Sequence, residues 1–368
     1  MSQDLALLEL VGVKGTGDPW VFEAVSLPYQ IGKMQPNAFG GCALATALYA
    51  AAQTFAPTAA FVPYSIVGHF LSPGSVSAPY ICEVKPLRDT RSFITRHVTV
   101  KQKSKKGDVR SVFALTLDMV RSPNATKEGR ERARALAKEP GAVSSLLRYE
   151  PTPRMRGTPH TELPMTQESL RRRVEAGEIH EIVGDMPTEF LGLWYRVFDE
   201  KACPEGMMNQ NVVGFTMSPT FQDDLPMSER CNLDWMRTKQ KLPPADGTDQ
   251  MWQPALPDML PISAVMAHAI AFAFAMDGVL AYLPMPLANM SLASSSAVSS
   301  LDVAMRFHTD ILDANKWFMR DAHTITGGWQ RTFSESYFYD ENGHLISSCT
   351  QQSVLRPVDD EDAPAAKL

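Results

Sequence analysis

Two segments of this chain are apolar on every side, and they restrict its fold more than any other feature. FGGCALATALYAAAQTF (Phe39–Phe55) and the stretch Ile262–Met276, which runs on to Leu283, both have helical length and no polar stripe. A helix without a polar face must be covered all round. A membrane would do this, and Ile262–Leu283 is long enough to span one. It contains Asp277, however, and a carboxylate near the bilayer centre costs about 2.5–3.5 kcal/mol. His268 adds a second polar group, and no Lys/Arg cluster flanks either end. Protein must therefore supply the cover, and a sheet curled around each helix is the simplest way to do so.

The surrounding sequence supplies such sheets. After the first helix come SIVGHFL, YICEVKPL, SFITRHVTVKQ and VRSVFALTLDMVR, rich in β-branched and aromatic residues and partly alternating. After the second come SLDVAMRFH, KWFMRDAHTIT, QRTFSESYFYD and HLISSCTQQSVLR. Hairpin turns fall at KSKKGD and at DENGH, the latter with Asn-Gly. The closing hairpins Gly107–Arg121 and Gly343–Arg356 can be laid over one another, each running from turn to strand to a terminal Arg. Helix followed by antiparallel strands, twice, predicts two homologous α+β units, 1–121 and 261–357. The connector 122–260 holds many prolines and the charged runs Lys127–Ala142 and Arg171–Val183, which read as solvated helix faces or loops. The tail 358–368 is acidic and predicted to be disordered. It ends Ala366-Lys367-Leu368, a small–basic–Leu tripeptide similar to a peroxisomal address read at a free C-terminus.

Composition excludes several classes. The net charge of −6 argues against nucleic acid as a partner. Cys42, Cys82, Cys203, Cys231 and Cys349 show no metal or redox spacing, which favours a reducing compartment. No His/Cys/acid cluster has ligand spacing, and neither a P-loop nor a G-x-S-x-G elbow occurs. The N-terminus MSQDLALLEL lacks the basic region of a signal peptide.

Asp277 is the only Asp, Glu, Lys or Arg between Asp258 and Asp302. A lone buried carboxylate is costly, so it needs donors or a wet pocket. Gly278 follows directly, so Asp277 can equally be a helix C-cap. His268 lies nine residues back, on the opposite face at about 100° per residue, which argues against a Ser-His-Asp relay. Partners must come from strands. Alternation puts Ser300, Asp302, Ala304, Arg306 and His308 on one face, and Leu345, Ser347, Cys349, Gln351, Ser353 and Leu355 on another. Gln351 thus sits among small or apolar neighbours, where an unpaired amide is expensive.

FGGCALATAL, LRDTRSFITRHV (Leu87–Val98), SSLDVAMRFH (Ser299–His308) and SSCTQQSVLR (Ser347–Arg356), in this order, together resemble the type II acyl-CoA thioesterases. The resemblance implies an α+β double hotdog, with 1–121 and 261–357 as the two hotdog domains. It implies hydrolysis of acyl-CoA without a cofactor, with Asp277, Ser300 and Gln351 arranged around a water and Asp277 as general base. A non-catalytic acyl-CoA-binding double hotdog, or a non-hydrolytic acyl or cyclisation step in the same pocket, are the alternative readings. Arg88, Arg91 and Lys316 are candidates for the CoA phosphates by position. The resemblance further implies association into homo-oligomers, and the C-terminus implies an import receptor as partner. The chain departs from the family around the site, with Gly278 for the usual Tyr or Phe after the acid, Arg306 for Trp, Thr90 for Gly and Gln352-Ser353 for Glu-Gly. These changes leave the acyl group open and admit a specialised biosynthetic substrate.

Overall fold

The computed structural model describes residues 4–31, 37–56, 61–104, 106–122, 128, 131, 149–216, 218–244, 250–291 and 294–357. The charged run Lys127–Ala142 falls almost wholly outside these residues, and the tail 358–368 entirely so.

Both apolar segments are helices of thirteen residues, Gly40–Ala52 and Ala264–Met276. They pack antiparallel: the start of the first meets the end of the second, with Phe39 edge-on to Phe274 at 5.0 Å. At the other end, Tyr49 Oη donates to Leu260 O at 2.7 Å and Gln53 Nε2 to Pro261 O at 3.2 Å. Burial on every side accounts for their lack of a polar face: all but one residue of each helix is buried.

One large antiparallel sheet covers them. The first half contributes β1 (Val13–Gly15), β2 (Val21–Ala24), β3 (Phe61–Phe70), β4 (Tyr80–Asp89), β5 (Phe93–Lys103) and β6 (Val109–Arg121). β7 (Phe198–Ala202) and β8 (Cys231–Thr238) follow, then the separate short pair β9 (Met251–Trp252) and β10 (Ile262–Ser263). The second half adds β11 (Ser295–Ser300), β12 (Asp302–Phe307), β13 (Phe318–Gly328), β14 (Arg331–Asp340) and β15 (Leu345–Pro357). The strand order is β1-β2-β4-β5-β6-β3-β12-β15-β14-β13-β8-β7, with β11 also on β15. The halves join where β3 meets β12, with Val67 opposite Ala304. This is the α+β double hotdog: two sheets, each over its helix, fused edge to edge.

Both turn motifs behave as their residues require. Gly107 and Gly343 take φ +92° and +82° in corresponding hairpins, a conformation that glycine enters without strain. Asp340 Oδ1 accepts from the backbone N–H groups of Asn342 and His344. Two details depart from the sequence pattern. Ser299–His308 is not one strand; it breaks at Leu301 into β11 and β12. The stretch 122–260 supplies β7 and β8, which extend the second half's sheet through β13. Within it, Thr166–Glu175 is a helix that buries Thr166 and Leu170 and exposes Arg171 and Arg172, with Arg172 paired to Glu168 one turn back, while Arg173 donates to Asn209 O.

Candidate active site

Asp277 is the C-cap of the second central helix and is 6% exposed. The helix cap and the buried carboxylate are thus one residue. Because the helices are antiparallel, its carboxylate faces the N-terminus of the first. There the backbone N–H of Gly41 donates to it. Among the described residues no side chain caps that helix, so its N-terminal N–H groups and the positive end of its dipole are directed at the acid. Close approach needs glycine: a Cβ on Gly40 would lie 2.5 Å from Asp277 Oδ2 and 2.7 Å from the Phe70 ring.

The third donor comes from the sheet. Along β15, Ser347, Cys349, Gln351 and Ser353 are all at most 2% exposed, which is the alternation read from the sequence. Gln351 Nε2 donates to Asp277 Oδ1 at 2.6 Å, a short charge-assisted bond. Burial outweighs both donors and pushes the Asp277 carboxyl from 3.8 up to about 7. A carboxylate tuned there is a competent base at neutral pH. Gln351 Oε1 has no partner among the described residues, so the amide keeps a free acceptor.

A cavity of about 400 Å³ opens onto Asp277. Its walls come from both halves: Phe39 and Gly40 at the helix N-terminus, Phe70–Gly74 from the end of β3 onward, and Gly278, Tyr282, Ser295 and Val298–Leu301 from the second half. Ser300 lies in this wall, at the end of β11 and opposite Ser353. The structure thus brings Asp277, Gln351 and Ser300 together, but among the described residues Ser300 makes no hydrogen bond to Asp277. Its hydroxyl is placed to meet what enters the cavity. Cys42 is buried one turn away, and burial pushes its thiol up to about 12, too high to furnish a thiolate nucleophile.

Arg88, Arg91 and Lys316 do not line the cavity. Arg88 is engaged on the sheet, with Nε donating to Thr95 Oγ1, Nη2 to Asp118 Oδ1, and its guanidinium over Phe93. Arg91 and Lys316 are exposed. His268 is structural: Ala314 N–H donates to its Nδ1 and its Nε2 bonds Pro243 O.

The repeat gives an internal comparison. Gln53 caps the first helix with nearly the backbone angles of Asp277, at the opposite end of the helix pair. An amide stands there instead of an acid, so the duplicated position carries no base. Sequence reading passed over Gly40 and Gly41, although the Gly-Gly pair opening a buried helix was visible.

Fold and site together define a double hotdog whose two halves build one acid–amide site. The acyl-CoA thioesterase N-terminal domain family matches residues 30–120, and its C-terminal domain counterpart matches 202–355. The chain belongs to the acyl-CoA thioesterase family and is a thioesterase enzyme. Among solved structures, the TesB protein of Mycobacterium avium subspecies paratuberculosis is 17% identical, with 95% of this chain and 98% of that one covered and a TM-score of 0.57. The acyl-CoA thioesterase II TesB2 of Mycobacterium marinum is 18% identical over 96% and 99%, at 0.54. A hot-dog-fold protein of unknown function from Alicyclobacillus acidocaldarius is 14% identical over 96% and 99%, at 0.58. None of the curated proteins matches.

Proposed function

We propose that this chain hydrolyses acyl-CoA through a water activated by Asp277. The bond from Gln351 Nε2 to the buried carboxylate, on the wall of the large cavity, is the observation that carries the reading. Asp277 takes a proton from water as the oxygen attacks the thioester carbonyl carbon. The carbonyl oxygen gains the negative charge, and the helix end at Phe39–Gly40 provides a positive potential for it. The C–S bond then breaks, CoA leaves as a thiolate, and the proton on Asp277 passes to it directly or through water. No covalent enzyme intermediate is required. Ser300 positions the thioester or the water from the opposite wall, and the glutamine fixes the carboxylate's aim.

The test is free-thiol release from a chain-length panel of acyl-CoAs, wild type beside Asp277→Asn. Hydrolysis lost in the variant supports the mechanism; equal rates in a folded variant exclude Asp277 as base. The changed neighbours of Asp277 suit a specialised, biosynthetic acyl group as well as a general housekeeping role. Ala366-Lys367-Leu368 supports import into the peroxisome through the receptor for such tripeptides. Deleting these three residues should turn a punctate fluorescent fusion diffuse, and persistent puncta would refute the address.

A further inference from the structure

Beyond Gly278 lies a second, smaller cavity of about 30 Å³, and Gly278 and Tyr282 line both. A Cβ on Gly278 would lie 2.4 Å from the Trp194 ring, so only glycine lets that ring stand directly behind the catalytic acid. On the ring's face sits Arg320, its Cζ 5.3 Å from the ring centroid. One aromatic ring therefore separates the residue after Asp277 from a buried guanidinium.

Several polar side chains stand among the otherwise apolar walls of this small cavity. Arg320 on β13 faces Asp234 on β8, with Nε to Oδ1 at 3.1 Å and Nη2 to Oδ2 at 2.8 Å. Both residues are at most 3% exposed. The pair ties the two strands together, and this structural role is complete with two of the guanidinium's nitrogens. Its third, Nη1, has no partner among the described residues, nor does the Tyr195 hydroxyl on the same wall. Glu200 joins them, accepting from Thr166 Oγ1. Burial, then the nearby Asp234, raise its carboxyl to about 7 against the pull of Arg320. Buried donors left without acceptors are costly, and here both belong to residues that line one small space, which Gly278 and Tyr282 share with the large cavity. On the first half's inner face, Val98 and Val100 share β5 with the buried Arg96 and Gln102, and these do find partners: Arg96 donates to Thr54 and Asp89, and Gln102 to the Ser75 and Ala78 carbonyls.

We propose that this small cavity recognises an oxygen atom carried on the acyl group, so that the preferred substrates are hydroxy- or oxo-acyl thioesters rather than plain saturated chains. The proposal rests on the hydrolytic reading above and deepens it. The space admits one or two water-sized groups. A hydroxyl or carbonyl oxygen there accepts from Arg320 Nη1 and the Tyr195 hydroxyl. An acyl carboxylate fits less well, because Asp234 already neutralises Arg320 and Glu200 stands beside them; a further anion would be buried uncompensated.

The test compares a saturated acyl-CoA with chain-matched hydroxy- and oxo-acyl-CoAs that differ in oxygen position. It reads kcat/KM by thiol release and, separately, the Kd of the matching non-hydrolysable thioether analogues. The expected result is a preference of about tenfold or more for one oxygen position in both readouts, the scale of one hydrogen bond to a charged donor. Truncating Arg320 would strand Asp234, so Tyr195→Phe is the variant, since it removes only a hydroxyl. It should shrink the oxygenated-to-saturated ratio several-fold. Equal constants across the matched set, or a ratio that Tyr195→Phe leaves unmoved, overturn the proposal and leave a water pocket only. Normal turnover with no oxygen preference would fail this inference while leaving hydrolysis intact. Unequal analogue affinities without turnover would uphold recognition and fail the hydrolytic reading.

Discussion

Replacing Asp277 with asparagine should make the protein more stable as well as inactive. The carboxyl is displaced from 3.8 to about 7 by burial. Its folded pKa lies above its unfolded one, so the native state binds the proton more tightly. The stability this group contributes is therefore present at low pH and is lost as pH rises from about 4 to 7. Fully ionised, it costs about 4 kcal/mol at about 1.4 kcal/mol per pH unit of displacement. Asparagine avoids ionisation but offers a single acceptor to the two donors Gln351 Nε2 and Gly41 N–H, and its own amide opposes one of them. Roughly half the cost should be recovered, about 2 kcal/mol, which is a rise in Tm of several degrees in a protein of this size. The assay is thermal unfolding of both proteins from pH 5 to 8.5. The gap in Tm should widen with pH and level off above about 7. A variant no more stable at pH 8, or a gap that ignores pH, would show that the carboxylate is not held against its ionisation and would remove the tuned-base argument.

Three other outcomes follow from the same geometry. The acid limb of the kcat/KM profile should fall at an apparent pKa of about 7, and Gln351→Leu should move it upward by about one to two pH units, because a donor to the charged form is lost; a limb that stays in place would disconnect the two residues. Gly40→Ala should cut kcat at least tenfold with little loss of secondary structure by circular dichroism, since its methyl would meet Asp277 Oδ2 at 2.5 Å and misaim the base; wild-type turnover would show that the helix end does not crowd the acid. Gly278→Ala should lower Tm, because its Cβ would lie 2.4 Å from Trp194, an overpacking that costs about 1–3 kcal/mol; an unchanged Tm would mean that the ring moves freely.

The division of information between sequence and tertiary structure is clear at particular residues. The two central helices were legible because all-round apolarity has few solutions, and the strands because alternation gives a face. Asp277 stood out because desolvating a lone carboxylate is too costly to be incidental. Gln351 followed from period two along β15. Local period, however, says which face a residue takes and not which residue it meets. That Gly41 of the first half donates to Asp277 of the second depends on the antiparallel pairing of two helices more than 200 positions apart. That Ser300 lines the cavity without a hydrogen bond to the acid among the described residues depends on the break at Leu301. The partnership of Arg320 with Asp234 is fixed by the register of β13 on β8, with β8 drawn from a stretch that reads as connector. These are long-range choices, settled by how the sheet closes over the helices, and only folding the whole chain decides them.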